Sequence, residues 1–185
     1  MPTFTVALVS GGNNIPDWVS EAIAREGIEF VVAECTTRDE LARYAGDADV
    51  VWLNGGSRIL TAENLDAIPR CGAIIRTGSG TDNVAVAAAT TRGIIVANTP
   101  RVSEEEVSDH AIGLMFAVVR QIATQDRFVR DGTWDALRAW PLWQIRKRTL
   151  GLIGFGHIAR CLVRKMSGFE LTVLAYDPYV SHDMM

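Results

Sequence analysis

The chain has 185 residues and a formal net charge of −4, with 48% hydrophobic and 22% charged residues. This length holds one ordinary domain or two small ones, and the composition is that of a chain that buries a core, which excludes disorder. The basic residues are scattered apart from Arg146, Lys147 and Arg148, read as a solvated loop, so no electrostatic footprint for nucleic acid stands out.

The longest uncharged apolar stretch, Ala111 to Val119, is too short to cross a bilayer, and the N-terminus has no basic segment ahead of a signal core. A cytoplasmic protein is expected, with neither nucleic acid nor membrane as partner. Cys35, Cys71 and Cys161 form no C-x-x-C pair and no cluster with histidine, so they are expected as reduced core residues, with no metal site.

In chain order, residues 4–9 read as a strand. Residues 16–26 read as a helix with Trp18, Val19, Ala22 and Ile23 on one face, ended by Gly27. A strand over 28–32 follows. Thr37 and Glu40 have capping-box spacing, in which each side chain satisfies an orphan backbone N–H, and open a helix through Tyr44. Strands are then expected at 50–53, 73–76 and 94–97, with helices at 62–68 and 83–91 between them. Alternation of apolar strands with helices implies a parallel sheet covered on both faces, a doubly wound α/β domain over 1–98.

At Asn98-Thr99-Pro100 the alternation stops. Ser103 with Glu106 has capping-box spacing and predicts one long helix through about Arg130, with Val107, Ala111, Leu114, Met115, Val118 and Ile122 on a wide apolar stripe. Beyond it Trp134, Trp140 and Trp143 stand in an irregular arm with Pro141. Large aromatics left in water are unfavourable, so the helix and arm are expected to pack on a neighbouring domain or another subunit, and a homodimer through 103–130 and 134–143 is predicted.

Residues 149–153 read as a strand running into Gly154-Phe155-Gly156-His157-Ile158-Ala159, a G-x-G-x-x-A loop, followed by a helix with Ile158, Ala159, Leu162, Val163 and Met166 on one face, closing at Gly168. Gly154 permits the tight turn, Gly156 lets the backbone approach a pyrophosphate, and Ala159 lets helix and strand lie close. Free N–H groups at the helix start would face the phosphates. A second strand, 171–176, ends in Asp177, placed to accept hydrogen bonds from ribose hydroxyls and so to select NAD over NADP. The opposing reading is a plain glycine turn with Asp177 as a loop residue.

With these residues in view, the chain resembles the D-isomer-specific 2-hydroxyacid dehydrogenases over essentially its whole length. Arg76-Thr77-Gly78-Ser79-Gly80-Thr81-Asp82-Asn83-Val84 resembles the family's R-x-G-x-G-x-D-N-V segment. Ala97-Asn98-Thr99-Pro100 is similar to its approach to the inter-domain hinge, and Glu106-Val107-Ser108-Asp109-His110-Ala111 to the start of its long helix. Ala85 departs from the pattern, which often has Asp there. The resemblance implies two hinged domains, a flavodoxin-like N-terminal domain and the start of a Rossmann NAD-binding domain over 99–185, with cofactor and substrate in the cleft.

The resemblance places the substrate carboxylate on backbone N–H groups of Asn54-Gly55-Gly56, where unhindered glycines suit an anion nest, although a strand-end turn would look the same. Arg76 could face the cleft, or be satisfied by a helix end or carboxylate. Phe155, His157, Ile158 and Pro178 are placed against the cofactor beside Gly154, Gly156 and Asp177, with His157 acting through its backbone as much as its ring. His110 is read as a hinge or interface residue, with a proton-transfer role as the alternative.

The family's substrate-orienting arginine, its general acid/base histidine and the paired acid come later than the ribose-binding aspartate. No catalytic residue is therefore assigned before Met185, and the 185-residue chain alone is expected to be inactive. The function expected is hydride transfer between NAD and a small 2-hydroxy or 2-oxo acid. The alternative is an NAD-responsive binding module, since Val102 to Ala111 is mildly similar to the transcriptional corepressors that share this fold.

Overall fold

A computed structural model describes residues 3–12 and 15–181. The chain divides into two compact units, Met1–Val102 and Ser103–Met185.

In the first unit, strands β1 (Thr5–Ser10), β2 (Glu29–Val32), β3 (Val50–Asn54), β4 (Ala73–Thr77) and β5 (Ile95–Asn98) form one sheet in the order β2-β1-β3-β4-β5. Every pair is parallel. Helices α1 (Asp17–Arg25), α2 (Arg38–Ala45) and α3 (Val86–Thr91) make the crossovers with the loops. This is the expected doubly wound α/β architecture, and its strand order is the flavodoxin-like one. The core is made where apolar strand residues meet α2: Ala7, Val9, Leu41, Val51, Leu53 and Ile74 are fully buried. The α2 capping box forms, with Glu40 N–H donating to Thr37 Oγ1 at 3.2 Å and Thr37 N–H to Glu40 Oε2 at 3.1 Å.

Three expectations in this unit need correction. The helix expected at 62–68 is a 3-10 turn over Asn64–Ala67, stopped two residues before Pro69, whose ring restricts Ile68 to non-helical backbone. The helix expected from Asn83 starts at Val86, because Val84 bridges Leu60 in parallel and Ala85 N–H donates to the Leu60 carbonyl. Trp18 does not join the inner face of α1 but is 65% exposed.

The second unit holds α4 (Glu104–Val119), α5 (Ile122–Arg130), β6 (Thr149–Ile153), α6 (His157–Met166) and β7 (Thr172–Tyr176), with β6 and β7 paired in parallel. The single helix expected over 103–130 is broken at Gln121, which takes a left-handed backbone, φ 50° and ψ 38°. No glycine or proline marks the break. Gln121 Nε2 donates to the carbonyls of Ala139 and Pro141, tying the turn to the arm. The Ser103–Glu106 capping box does not form, since Ser103 makes no side-chain cap.

Lys165 joins α6 to α4 through Glu105 O, Ser108 Oγ and Asp109 Oδ1 at 2.6–2.8 Å, with Ser108 fully buried beneath it. Cys35 and Cys71 lie in the core of the first unit as expected; Cys161 is only half-buried, 3.5 Å from Glu105 Oε1. Among the described residues no helix is long and apolar enough to cross a membrane.

Candidate functional site

In parallel α/β sheets ligands gather at the carboxyl ends of the strands, where the strand order reverses. In the first unit that reversal lies between β1 and β3, and the chain leaving β3 there is Asn54-Gly55-Gly56. Gly55 has φ +89°, a backbone that glycine adopts without strain, and a Cβ on Gly55 or Gly56 would meet no atom within 4 Å. No hydrogen bond among the described residues uses the N–H of Gly55 or Gly56. Two unhindered, unpaired amides at a switch point can take an anion.

The loop is fastened from several directions. Ser10 Oγ donates to the Asn54 carbonyl at 2.7 Å, Asn54 Nδ2 to the Gly11 carbonyl at 3.4 Å, and Asn83 Nδ2 to the carbonyls of Gly55 at 3.2 Å and Ser57 at 2.8 Å. The segment after β4 is held likewise. Thr99 Oγ1 accepts from Gly78 N–H at 2.6 Å while Thr99 N–H donates to the Gly78 carbonyl, and Asn98 Nδ2 donates to the Ser79 carbonyl at 2.7 Å.

Arg76 lies beside Leu53 in the β3–β4 register, one residue before Asn54. Its Nη1 donates to the Thr77 carbonyl at 2.7 Å, and its guanidinium lies where a Cβ on Gly78 would be, so a side chain there would displace it, on a backbone whose φ of +121° already favours glycine. Its Nε is buried without a partner. The structure therefore brings Asn54, Gly55 and Gly56 together as one loop and turns Arg76 onto its own strand end.

Reading the sequence alone gave Ser10 and Asn83 no role at this loop, although Asn83 stands in the R-x-G-x-G-x-D-N-V segment, which was the signal available for it.

In the second unit β6 runs into Gly154, whose φ is +92°, and Gly156 caps α6 without any side-chain bond. A Cβ on either glycine would meet nothing within 4 Å, so the loop opens onto free space. No hydrogen bond among the described residues uses the N–H of Gly156, His157 or Ile158. Asp177 stands at the end of β7. Its Oδ2 accepts the Phe155 N–H at 2.7 Å and its Oδ1 the Tyr179 N–H at 2.8 Å. These bonds, with that from Val180 and the charge of Arg160, hold its carboxyl below the usual carboxylate range, against the opposing effect of burial.

Pro178 follows at the surface, and the exposed His157 ring lies with Nδ1 4.0 Å from Glu104 Oε1. Open space before the glycines, unpaired helix-start amides and an adjacent carboxylate with spare lone pairs fit a dinucleotide, with the pyrophosphate at the loop and a ribose at Asp177.

A five-stranded flavodoxin-like sheet, a strand-glycine-helix loop and an acid after the next strand define a dehydrogenase-like α/β protein. The sequence model of the D-isomer specific 2-hydroxyacid dehydrogenase catalytic domain matches residues 7–181, and the chain belongs to that family.

It is 33% identical over 159 residues to the D-3-phosphoglycerate dehydrogenase of Archaeoglobus fulgidus, an alignment covering 86% of this chain and 30% of that protein. It is 34% identical over 148 residues to the hydroxypyruvate reductase of Thermotoga maritima, covering 80% and 48%. Among solved structures, a dehydrogenase from Rhizobium meliloti superposes with a TM-score of 0.74 at 28% identity, over 95% of this chain and 60% of that one. The chain thus spans from 30% to about half the length of these curated relatives. Solved neighbours of this fold include complexes with NADPH and with NAD.

Proposed function

We propose that this chain carries the substrate-side domain (1–98) and the first half of the dinucleotide domain (99–185) of a cytoplasmic NAD-dependent oxidoreductase acting on small 2-hydroxy or 2-oxo acids of D configuration. The observation that carries this reading is the pair of glycine loops with unpaired amides at strand carboxyl ends, Gly55-Gly56 in one unit and Gly156-His157-Ile158 in the other.

Gly55 and Gly56 take the substrate carboxylate, with Asn54 and Arg76 framing the loop. Gly154, Phe155, Gly156, His157 and Ile158 hold the pyrophosphate, and Asp177 with Pro178 borders the adenosine ribose. The nicotinamide, when bound, supplies or accepts the hydride, and the chain's own residues bind and orient the reactants. No residue of this chain is assigned as the proton donor.

The cofactor is tested on the full chain by nicotinamide fluorescence. NADH is expected to bind more tightly than NADPH, because the Asp177 charge repels a 2′-phosphate, and Asp177→Ala is expected to relax that preference. Equal affinities in the unmodified chain would sink the role given to Asp177.

The same protein is proposed to be a homodimer. Leu114, Val118, Ile122 and Val129 on α4 and α5 are more than half exposed, and Trp134, Trp140 and Trp143 are 91%, 70% and 55% exposed. A symmetric interface that uses one apolar patch twice is the commonest way to cover such a surface. Light scattering is expected to give a dimer mass that Trp140→Ala shifts toward monomer; a monomer at micromolar concentration would contradict it.

A further inference from the structure

The first turn of α6 carries no acid, and its fourth residue, Arg160, is a cation. A helix start favours negative charge, so a cation there works against the helix dipole. The other arginine and the lysine of α6 have acid partners: Arg164 pairs with Glu105, and Lys165 with Glu105 and Asp109. Arg160 makes no ion pair among the described residues. Side chains on a helix lean toward its N-terminus, and Arg160 lies back over the glycine loop. Its Nε donates to the Phe155 carbonyl at 3.1 Å, and its guanidinium carbon stands 5.1 Å from the centre of the buried Phe155 ring.

That carbonyl belongs to a peptide whose neighbours are fastened without Arg160's side chain. Before it, the Gly154 N–H is taken by the Tyr176 carbonyl and the Phe155 N–H by Asp177 Oδ2; after it, the Gly156 carbonyl accepts the backbone N–H of Arg160 at 3.1 Å. Between them the Phe155–Gly156 peptide has an unpaired N–H, and among the described residues the Arg160 side chain is the one partner of its carbonyl. In a trans peptide the C=O and the following N–H point in opposite directions, so holding the Phe155 carbonyl also sets where the Gly156 N–H points.

A peptide with fixed neighbours can still turn over, by opposite rotations about Phe155 ψ and Gly156 φ. Glycine adopts either sign of φ at little cost, so Gly156 offers small resistance to this. Turned over, the peptide would present a carbonyl oxygen where the N–H stood, and that oxygen would repel an anion.

We propose that Arg160 is a positioning residue of the dinucleotide loop: by holding the Phe155 carbonyl it keeps the Phe155–Gly156 peptide from turning over, and so keeps the Gly156 N–H available to the pyrophosphate. This rests on the reading of Gly154 to Ile158 as the pyrophosphate loop. Arg160 is given no contact with phosphate; it acts through the peptide.

The test compares Arg160→Met with Arg160→Gln in the full chain, by NADH fluorescence titration and amide NMR. Both variants are neutral and alike in length and in their cover of the Phe155 ring. Only glutamine carries an N–H donor at the same place along the side chain as the arginine Nε. A turned-over form in about fourfold excess leaves a fifth of the molecules competent, so Arg160→Met is expected to raise the apparent Kd for NADH at least about fivefold. Arg160→Gln is expected to bind within about twofold of the parent. The NOE between Phe155 Hα and Gly156 N–H, which reports the orientation of that peptide, is expected to change in the methionine variant and to return to the parent intensity in the glutamine variant. Because Arg160 is exposed, water can take the freed carbonyl, and both variants are expected to melt within about 3 °C of the parent. Where the methionine variant does not fold, Arg160→Ala, also without a donor, takes its place.

The failures are distinct. A parent chain that binds no NADH removes the dinucleotide reading and the proposal with it. NADH binding by the methionine or alanine variant within about twofold of the parent leaves the loop in place and overturns the role of Arg160. Equal losses in the methionine and glutamine variants, with the NOE unchanged in both, overturn it as well, because the carbonyl bond would then not be what Arg160 supplies.

Discussion

Gly154 and Gly156 lie two residues apart in one loop, yet adding a methyl group to each should have opposite signatures. A Cβ at either position meets nothing within 4 Å, so neither substitution creates a clash in the protein itself. The difference is in the backbone. Gly154 has φ +92°, where an L-residue is strained by about 1–2 kcal/mol, offset in part by the smaller entropy of the unfolded alanine chain, about 0.4–1 kcal/mol.

Gly156 has φ −76° and ψ −166°, extended backbone that alanine adopts freely, so only the gain of about 0.4–1 kcal/mol applies. Gly154→Ala should therefore lower stability in urea unfolding by up to about 1.5 kcal/mol, and Gly156→Ala should leave it unchanged or slightly raised. Binding should separate them the other way. The methyl of Gly156→Ala projects into the open space assigned to the pyrophosphate, and intrusion into a filled site costs about 1–3 kcal/mol, roughly 5- to 150-fold in Kd. The assay is NADH fluorescence titration beside the urea curves. If Gly156→Ala binds NADH like the parent, the pyrophosphate does not lie on this loop; if the two variants unfold alike, the backbone argument is wrong.

Two further outcomes follow from the wiring of the second unit. The Asp177 carboxyl is held low first by the Phe155 N–H and then by the Tyr179 and Val180 N–H groups and by Arg160, with burial opposing. A depressed folded value means that its contribution is complete above the unfolded value near 3.9 and is lost as pH falls through the folded one; melting midpoints from pH 7 to pH 3 should show Asp177→Asn with a shallower acid limb than the parent, and parallel limbs would refute this. Lys165→Met removes the donor shared by Glu105 O, Ser108 Oγ and Asp109 Oδ1 and leaves the buried Ser108 hydroxyl without it. It should lower the melting midpoint by several degrees, although the Ser108 hydroxyl keeps its own bond to the Glu105 carbonyl at 2.8 Å; a midpoint equal to the parent's would contradict the reading of Lys165 as a fastening between α6 and α4.

Where the sequence was legible, a local pattern decided the outcome. The apolar runs of the first unit became its five strands because a parallel sheet buries both faces, and the α2 cap formed because Thr37 and Glu40 need only each other. The errors lie where a distant partner decided. The break at Gln121 has no marker in Val119-Arg120-Gln121, and the groups that accept from its amide lie 18 and 20 residues later.

Ser103 and Glu106 have the spacing of a capping box without its bonds. At the candidate site, Gly55, Gly56, Gly154 and Gly156 could be picked out by their places just after the strands at 50–53 and 149–153, where a plain turn would use glycine too. Asn83 and Ser10 were not, because their acceptors lie 26 to 44 residues away on another strand's loop.

On the proposed reading the two loops place the same demand on the backbone, amides left over for an anion, and they meet it with opposite side-chain chemistry. In the first unit the clamps are donors: Ser10 and Asn83 bind carbonyls and leave every loop N–H unspent. That matters where only the two amides of Gly55 and Gly56 are available. In the second unit the clamp on the N–H side is an acceptor, and Asp177 takes the Phe155 N–H for itself. The loop can spare it, because the start of α6 still offers Gly156, His157 and Ile158. The arrangement also accounts for a carboxylate lying close to a site assigned to phosphates, since the backbone N–H groups at Phe155 and Tyr179 hold it in place and favour its ionised form. An aspartate at position 83 would face two carbonyls and repel an incoming carboxylate, and an asparagine at position 177 would turn a donor toward one of two N–H groups. The acid and the amide are therefore not interchangeable between the two loops, although each does the same work of holding a glycine turn still.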